Sequence, residues 1–222
     1  MTIARDLIAL TLALAGPGVI ALASQAFTRG RAGEIAAVAP WLCGFALLIA
    51  FVWVLGVAGP GRSAQSVGLS WPPTLATLAI AAALTAFLIL IYGPLVYTFL
   101  NWSGLGNFEQ GQVSLNLLPK WYLALAIIIV AGGEEWLYRG FAIPVLEQLT
   151  GNIWLAGAIS LLAFGLAHLP LWGFGVSLTT LVGGAIFTLL FIWRRDATSL
   201  MLAHVATDLY GLLLALMLAR SQ

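Results

Sequence analysis

Long apolar runs separated by short polar breaks dominate the chain, with no sustained alternation of strand type. A bilayer-spanning helix needs about 20 mostly apolar residues, and seven segments meet that requirement. The first runs from about Leu7 to Phe27 and is closed by Arg29 and Arg31; it is followed by further spans and reads as a retained helix rather than a signal peptide. The second covers about Ile35 to Val57, up to Gly59-Pro60-Gly61-Arg62. The third covers about Thr74 to Leu100 and is expected to kink near Gly93-Pro94. A Gly/Asn/Gln-rich loop, Asn101 to Pro119, precedes a pattern from Lys120 to Leu149. That pattern is too long for one upright span, so a span with a tilted or interfacial continuation is expected, weakened at Gly132-Gly133 and Pro144. The fifth segment runs from Ile153 to about His168 and stops at Pro170. The sixth runs from Phe174 to Trp193, and the seventh from about Ala197 to Ala219.

The expected fold class is therefore all-α: a polytopic transmembrane bundle of about seven segments, with six to eight compatible. It forms a single integral-membrane domain over 1–222, with a polar intramembrane cavity. Composition agrees, with 62% hydrophobic residues, 8% charged and a mean hydropathy of +1.04, against roughly 25% charged in soluble domains. A net charge of +1 without a basic run excludes nucleic acid as a partner class. The lone cysteine, Cys43, sits in an apolar run and is expected to be a buried small hydrophobe. Trp41, Trp71, Trp102, Trp121, Trp172 and Trp193 fall near segment ends, where interfacial anchoring accounts for them. With seven spans, Arg5, Arg62, Arg194 and Arg195 share one side and Arg29, Arg31, Lys120 and Arg220 the other. That tie leaves orientation undetermined by the positive-inside rule.

The polar exceptions carry the chemistry. Of seventeen charged residues only Glu134, Glu135, Arg139 and Asp208 fall inside apolar stretches, joined there by both histidines, His168 and His204. Ionisable groups at membrane depth cost several kcal/mol and mark functional sites. In Glu134-Glu135-Trp136-Leu137-Tyr138-Arg139, Glu135 and Arg139 are spaced to form a salt bridge on one helical face. Glu134 is rotated away by about 100°. One glutamate is thus expected to be structural and the other free to act as a base. Phe164 and His168 are spaced so that the ring can back the imidazole, and His204 and Asp208 repeat the four-residue interval. The set supplies a base, two imidazoles, a carboxylate and a cation, the inventory for peptide-bond hydrolysis.

In that order on successive helices, Glu-Glu-x-x-x-Arg, Phe-x-x-x-His and His-x-x-x-Asx resemble the CPBP intramembrane proteases, the superfamily of CAAX prenyl endopeptidases and bacteriocin-processing or Abi proteins. The resemblance covers about 120–219. It implies catalytic roles for Glu134 as the base that activates water, His168 as its partner in holding that water, and His204 with Asp208 as the pair facing the oxyanion. Glu135, Arg139 and Phe164 would be structural or substrate-orienting. Asp208 stands where the family often has Asn. The implied function is an intramembrane endopeptidase acting on a small peptide or membrane-anchored protein, in a bacterial inner (cytoplasmic) membrane. A non-proteolytic protein of the same fold, such as a bacteriocin self-immunity factor or a subunit of a larger membrane complex, is the alternative. A transporter or proton relay is a third reading, without a visible inverted repeat to support it. Glu, His, His and Asp are acceptable zinc ligands, but His-Glu-x-x-His is absent. A zinc-dependent and a metal-free glutamate mechanism both remain open, the latter slightly favoured.

One expectation conflicts with convergence. If Asn152 and Ala197 mark the same membrane face, His168 lies ~24 Å from it and His204 only ~10 Å.

Overall fold

The computed structural model describes residues 2–28, 34–106, 108 and 117–220, and among these there are helices and no strand. Arg29, Arg31 and residues 107 and 109–116 of the expected loop lie outside the described residues. Six continuous helical stretches are long and apolar enough to cross a membrane. We number them α1 (Thr2–Thr28), α2 (Ile35–Ala58), α3 (Leu75–Ser103), α4 (Lys120–Thr150), α5 with α6 (Ile153–Arg194) and α7 (Ala197–Arg220).

The fifth stretch is two helices folded back on one another, α5 over 153–172 and α6 over 174–194. Between them Gly173 adopts φ 74° and ψ −178°, a conformation essentially restricted to glycine. The two arms are antiparallel: Gly157 faces Thr188 and Ile192, Gly165 faces Leu181, and Gly184 faces Phe164 and Leu161. The hairpin restores the seven expected segments. Its turn falls at Gly173, however, and Pro170 does not end the helix.

Lys120–Thr150 also departs from expectation. It is one helix, carried by a π-helical segment at Glu135–Ala142 whose eight residues are all buried. The continuation beyond Gly133 is thus the inner part of the bundle rather than an interfacial piece. Gly132 and Gly133 do not break it. A side chain at Gly133 would meet Phe45 and Ile49, so this glycine brings α2 against α4. In α3 a π-turn at Leu88–Tyr92 immediately precedes Gly93-Pro94, where the kink was expected.

Large apolar side chains cover the outside: Leu7, Phe51, Leu90, Ile128, Leu166 and Leu189 are all exposed. In water this would be a severe liability; in hydrocarbon it has no cost. Trp71, Trp102, Trp121 and Trp193 are exposed near helix ends, while Trp41 and Trp172 are half-buried. Cys43 is exposed, contrary to expectation. Helix α2 buries Leu42, Phe45, Leu48 and Val52, which directs Cys43 to the outer face.

Ion pairs join one end of the bundle. Arg62 bridges Asp6 at 2.7 Å and Arg195 bridges Glu147 at 2.6 Å. Arg5, Arg62 and Arg195 therefore meet partners at the same end, as the seven-span reading requires. The connector before α3 folds inward beneath α7. Gly68 (φ 72°) presents its carbonyl to the amides of Ala197 (2.8 Å) and Thr198 (3.3 Å), and Asp196 accepts from Ser199 N. These bonds satisfy donors that a helix start leaves without intrahelical partners. They also hold the start of α7 deep in the protein, where Ala197, Ser199 and Leu200 are at most 1% exposed.

Candidate functional site

The depth conflict is resolved by that recessed start. A Cβ on Gly140 would lie 3.2 Å from the Cβ of Ala197, and one on Gly132 would lie 3.7 Å from Val205. Ala197 is therefore level with Gly140 of α4, not with Asn152. Glu134 lies six residues from Gly140 and His204 seven from Ala197, about 9 and about 10 Å along their helices. His168 and Glu134 are each sixteen residues from the α4–α5 turn, counted from Asn152 and Thr150. All three motifs reach one level.

At that level Glu135 is the central acceptor. Its Oε1 receives Arg139 Nη1 at 2.9 Å and His204 Nδ1 at 2.9 Å, with Glu135 and Arg139 at most 1% exposed. Arg139 also donates from Nη2 to the Gly184 carbonyl at 3.1 Å, and its guanidinium lies 4.1 Å from the centre of the Phe164 ring. A Cβ at Gly184 would stand 2.8 Å from Nη2. Glycine there leaves the guanidinium its place. Phe164 packs against the His168 ring at 4.6 Å with the planes tilted by 59°, and meets Tyr138 edge-on at 5.2 Å. One aromatic side chain thus backs both the cation and an imidazole.

The two imidazoles are held alike. His168 Nδ1 is 2.8 Å from the Phe164 carbonyl. A carbonyl only accepts, so Nδ1 carries a proton, and in the neutral ring Nε2 is the nitrogen with the lone pair. His204 Nδ1 faces the same Glu135 oxygen that receives Arg139, so it too is the donor. Each ring is left with Nε2 as its working atom. His204 Nε2 lies 3.8 Å from Asp208 Oδ2, beyond direct hydrogen bonding but within reach of a shared water. Glu134 is half-buried and close enough to both histidines to interact electrostatically with them, and Asp208 interacts likewise with His168 and His204.

A cavity of about 260 Å³ opens beside this set, between α3, α6 and α7. Glu135, His204, Asp208, Thr180 and Thr207 contribute polar lining, while Leu88, Val96, Phe164 and Phe187 contribute apolar wall. Glu134 and His168 are not among the lining residues. Every candidate from the sequence is thus drawn into one region, in two subgroups: Glu135, Arg139, Phe164, His204 and Asp208 around the cavity and its support, with Glu134 and His168 alongside.

Among the described residues no group of three or more His, Cys, Asp or Glu side chains is arranged to hold a metal ion. Sequence reasoning missed three features: the bond from Glu135 to His204, the Gly184 carbonyl beneath Arg139, and the α3 wall with Tyr92, whose hydroxyl donates to the Thr179 carbonyl. The glycine pair 183–184 inside an apolar run was the available signal, since such pairs permit close helix approach.

Comparison with curated proteins and with solved structures returns no match. Residues 116–210, which carry all three motifs, match the family model of the type II CAAX prenyl endopeptidase Rce1-like proteins. Through this segment, a little under half of its length, the chain, an integral membrane protein, is similar to the type II CAAX prenyl endopeptidases of the Rce1-like family.

Proposed function

We propose that the chain is an intramembrane endopeptidase that hydrolyses a peptide bond in a small peptide or membrane-anchored protein, using water activated by Glu134 with His168. The observation that carries this reading is the division of labour between the adjacent glutamates. Glu135 is occupied by Arg139 and His204, which leaves Glu134, beside both imidazoles, as the carboxylate available for proton transfer.

A water between Glu134 and His168 would donate one hydrogen bond to the carboxylate and one to His168 Nε2. Attack of its oxygen on the scissile carbonyl passes a proton to Glu134, which returns it to the departing amine as the C–N bond breaks. The carbonyl oxygen gains negative charge in the tetrahedral intermediate. His204 Nε2 is the donor for it, and because Nδ1–H is committed to Glu135, that role belongs to the imidazolium form. Preorganised donors of this kind contribute ~3–4 kcal/mol in other hydrolases. Asp208, across from Nε2, keeps the cation and the substrate carbonyl in register through water.

The test compares membranes containing wild-type protein with membranes containing Glu134→Gln. The amide preserves shape and cannot take the proton, so cleavage falls by 10²–10⁴-fold and uncleaved substrates accumulate while the variant stays folded. Residual cleavage above about a tenth of wild type, against that expected range, would remove Glu134 from the role of base.

A further inference from the structure

We propose that Ser160 of α5 is a positioning residue for His204: its hydroxyl holds the π winding of α4, which keeps Glu135 turned towards α7, where it grips the imidazole. Its effect on cleavage rests on the peptidase reading, whereas its effect on the imidazole does not. Ser160 is fully buried, and its Oγ donates to the Tyr138 carbonyl at 2.5 Å. Hydroxyls in a helix commonly turn back to a carbonyl of that helix. Thr11, Thr85, Thr98, Ser177 and Thr207 do so here, each to the carbonyl four residues earlier. Ser160 instead crosses to α4. It meets the middle of Glu135–Ala142, where the π winding runs backbone bonds between residues five apart. One turn further along α5, Phe164 meets the ring of the same Tyr138 at 5.2 Å. Helix α5 thus holds Tyr138 by both its carbonyl and its ring.

The winding decides what α4 shows to α7. Glu135 accepts from His204 at 2.9 Å, and a Cβ on Gly140 would lie 3.2 Å from that of Ala197. Both partners belong to α7. In an α-helix, residues five apart point about 140° away from one another, so one of these contacts would be turned aside. In a π turn they come towards one line. Pro144, just beyond the segment, works in the same sense, because it has no N–H to give the Gly140 carbonyl four residues back. Ser160 supplies a donor to the widened turn from outside the helix. Without that donor the segment can tighten towards α winding, which rotates Glu135 relative to Gly140. The Glu135–Arg139 pair, four residues apart, is a neighbour pair on one helical face and goes with the rotation, so the loss falls on His204.

The experiment uses purified protein in lipid vesicles with 15N-labelled histidine. The chain has only two histidines, and His168, whose Nδ1 bonds the Phe164 carbonyl of its own helix, is the internal control. In Ser160→Ala the Nδ1 resonance of His204 should move while that of His168 stays. Ser160→Cys keeps the shape and leaves only a weak donor, so it should fold and move the same resonance by less. Pro144→Ala provides the missing N–H and should move it in the same direction without touching Ser160. On a cleaved peptide, kcat of Ser160→Ala should fall by about tenfold or more, since an ångström of misplacement can cost ~10²-fold. KM should stay within about twofold, as for an interaction made only in the transition state. A His204 resonance unmoved in both Ser160 variants, even with a lowered melting temperature, overturns the proposal and makes the bond merely structural. Equal movement of both histidines indicates general loosening and overturns it too. An unmoved resonance in Pro144→Ala overturns the link through the winding. Movement of His204 alone, with no cleavage by wild type, upholds the positioning role and sinks only the peptidase reading.

Discussion

Arg139 shows how a charge is made tolerable at this depth. Its guanidinium has a carboxylate at 2.9 Å, a carbonyl at 3.1 Å and an aromatic face at 4.1 Å, and it is fully buried. Removing one member of a buried pair leaves the other uncompensated, at ~3–5 kcal/mol. Arg139→Ala is therefore expected to lower folded yield and melting temperature in detergent well beyond Glu134→Gln. Equal melting temperatures for the two variants would contradict this arrangement. Asp208 makes a different case, because it is 46% exposed on its side chain and only 3.8 Å from His204 Nε2. It bears on the oxyanion side through water, and an amide can donate there where an ionised carboxylate only accepts. Asp208→Asn should retain cleavage within about tenfold of wild type, compared with the 10²–10⁴-fold loss expected at a catalytic base. A loss as deep as that of Glu134→Gln, measured on the same substrate, would make the carboxylate charge itself indispensable.

Among the elements, the α5–α6 hairpin illustrates what periodicity can and cannot disclose. The two apolar runs and the polar break around Arg194-Arg195-Asp196 were legible, as was the pairing of Glu135 with Arg139, because both follow from spacing along a helix. The position of the turn was not. Proline is the more familiar helix breaker, yet Pro170 sits within α5, while Gly173 makes the reversal through a backbone conformation that only its φ and ψ disclose. No side chain crowds Gly173, so its requirement is conformational rather than one of space. Gly173→Ala is expected to destabilise the protein by ~1–3 kcal/mol, read as a lower melting temperature, whereas an alanine at Gly44, which is likewise uncrowded but helical, should be neutral or stabilising. Similar losses at both positions would show that the hairpin does not depend on the left-handed turn. Likewise, the π-helical character of Glu135–Ala142 and the bond from Glu135 to His204 depend on neighbours in space, and sequence spacing within one helix is silent about them.

For the whole molecule, the question is how three helices bring their polar groups to one level when equal membrane boundaries would separate them by more than two helical turns. The inward-folded connector supplies the answer, since Gly68 receives the first amides of α7 and holds Ala197 beside Gly140. This could not be read from hydropathy, which marks where apolar runs begin but not how deep each begins. The register is open to a direct test. In a Cys43→Ser background, cysteines at Gly132 and Val205 should be joined by a short thiol crosslinker. A Cβ at Gly132 has room and would lie 3.7 Å from the nearest Val205 atom. The alternative register, with Ala197 level with the α4–α5 turn, would instead bring Val205 beside Ile143. Crosslinking of the Ile143/Val205 pair in place of Gly132/Val205, in membranes before any detergent is added, would overturn both the recessed α7 and the convergence of Glu134, His168 and His204. The converse pattern would tie the site to the one feature of the fold that lets a base, two imidazoles and a carboxylate share a single intramembrane position.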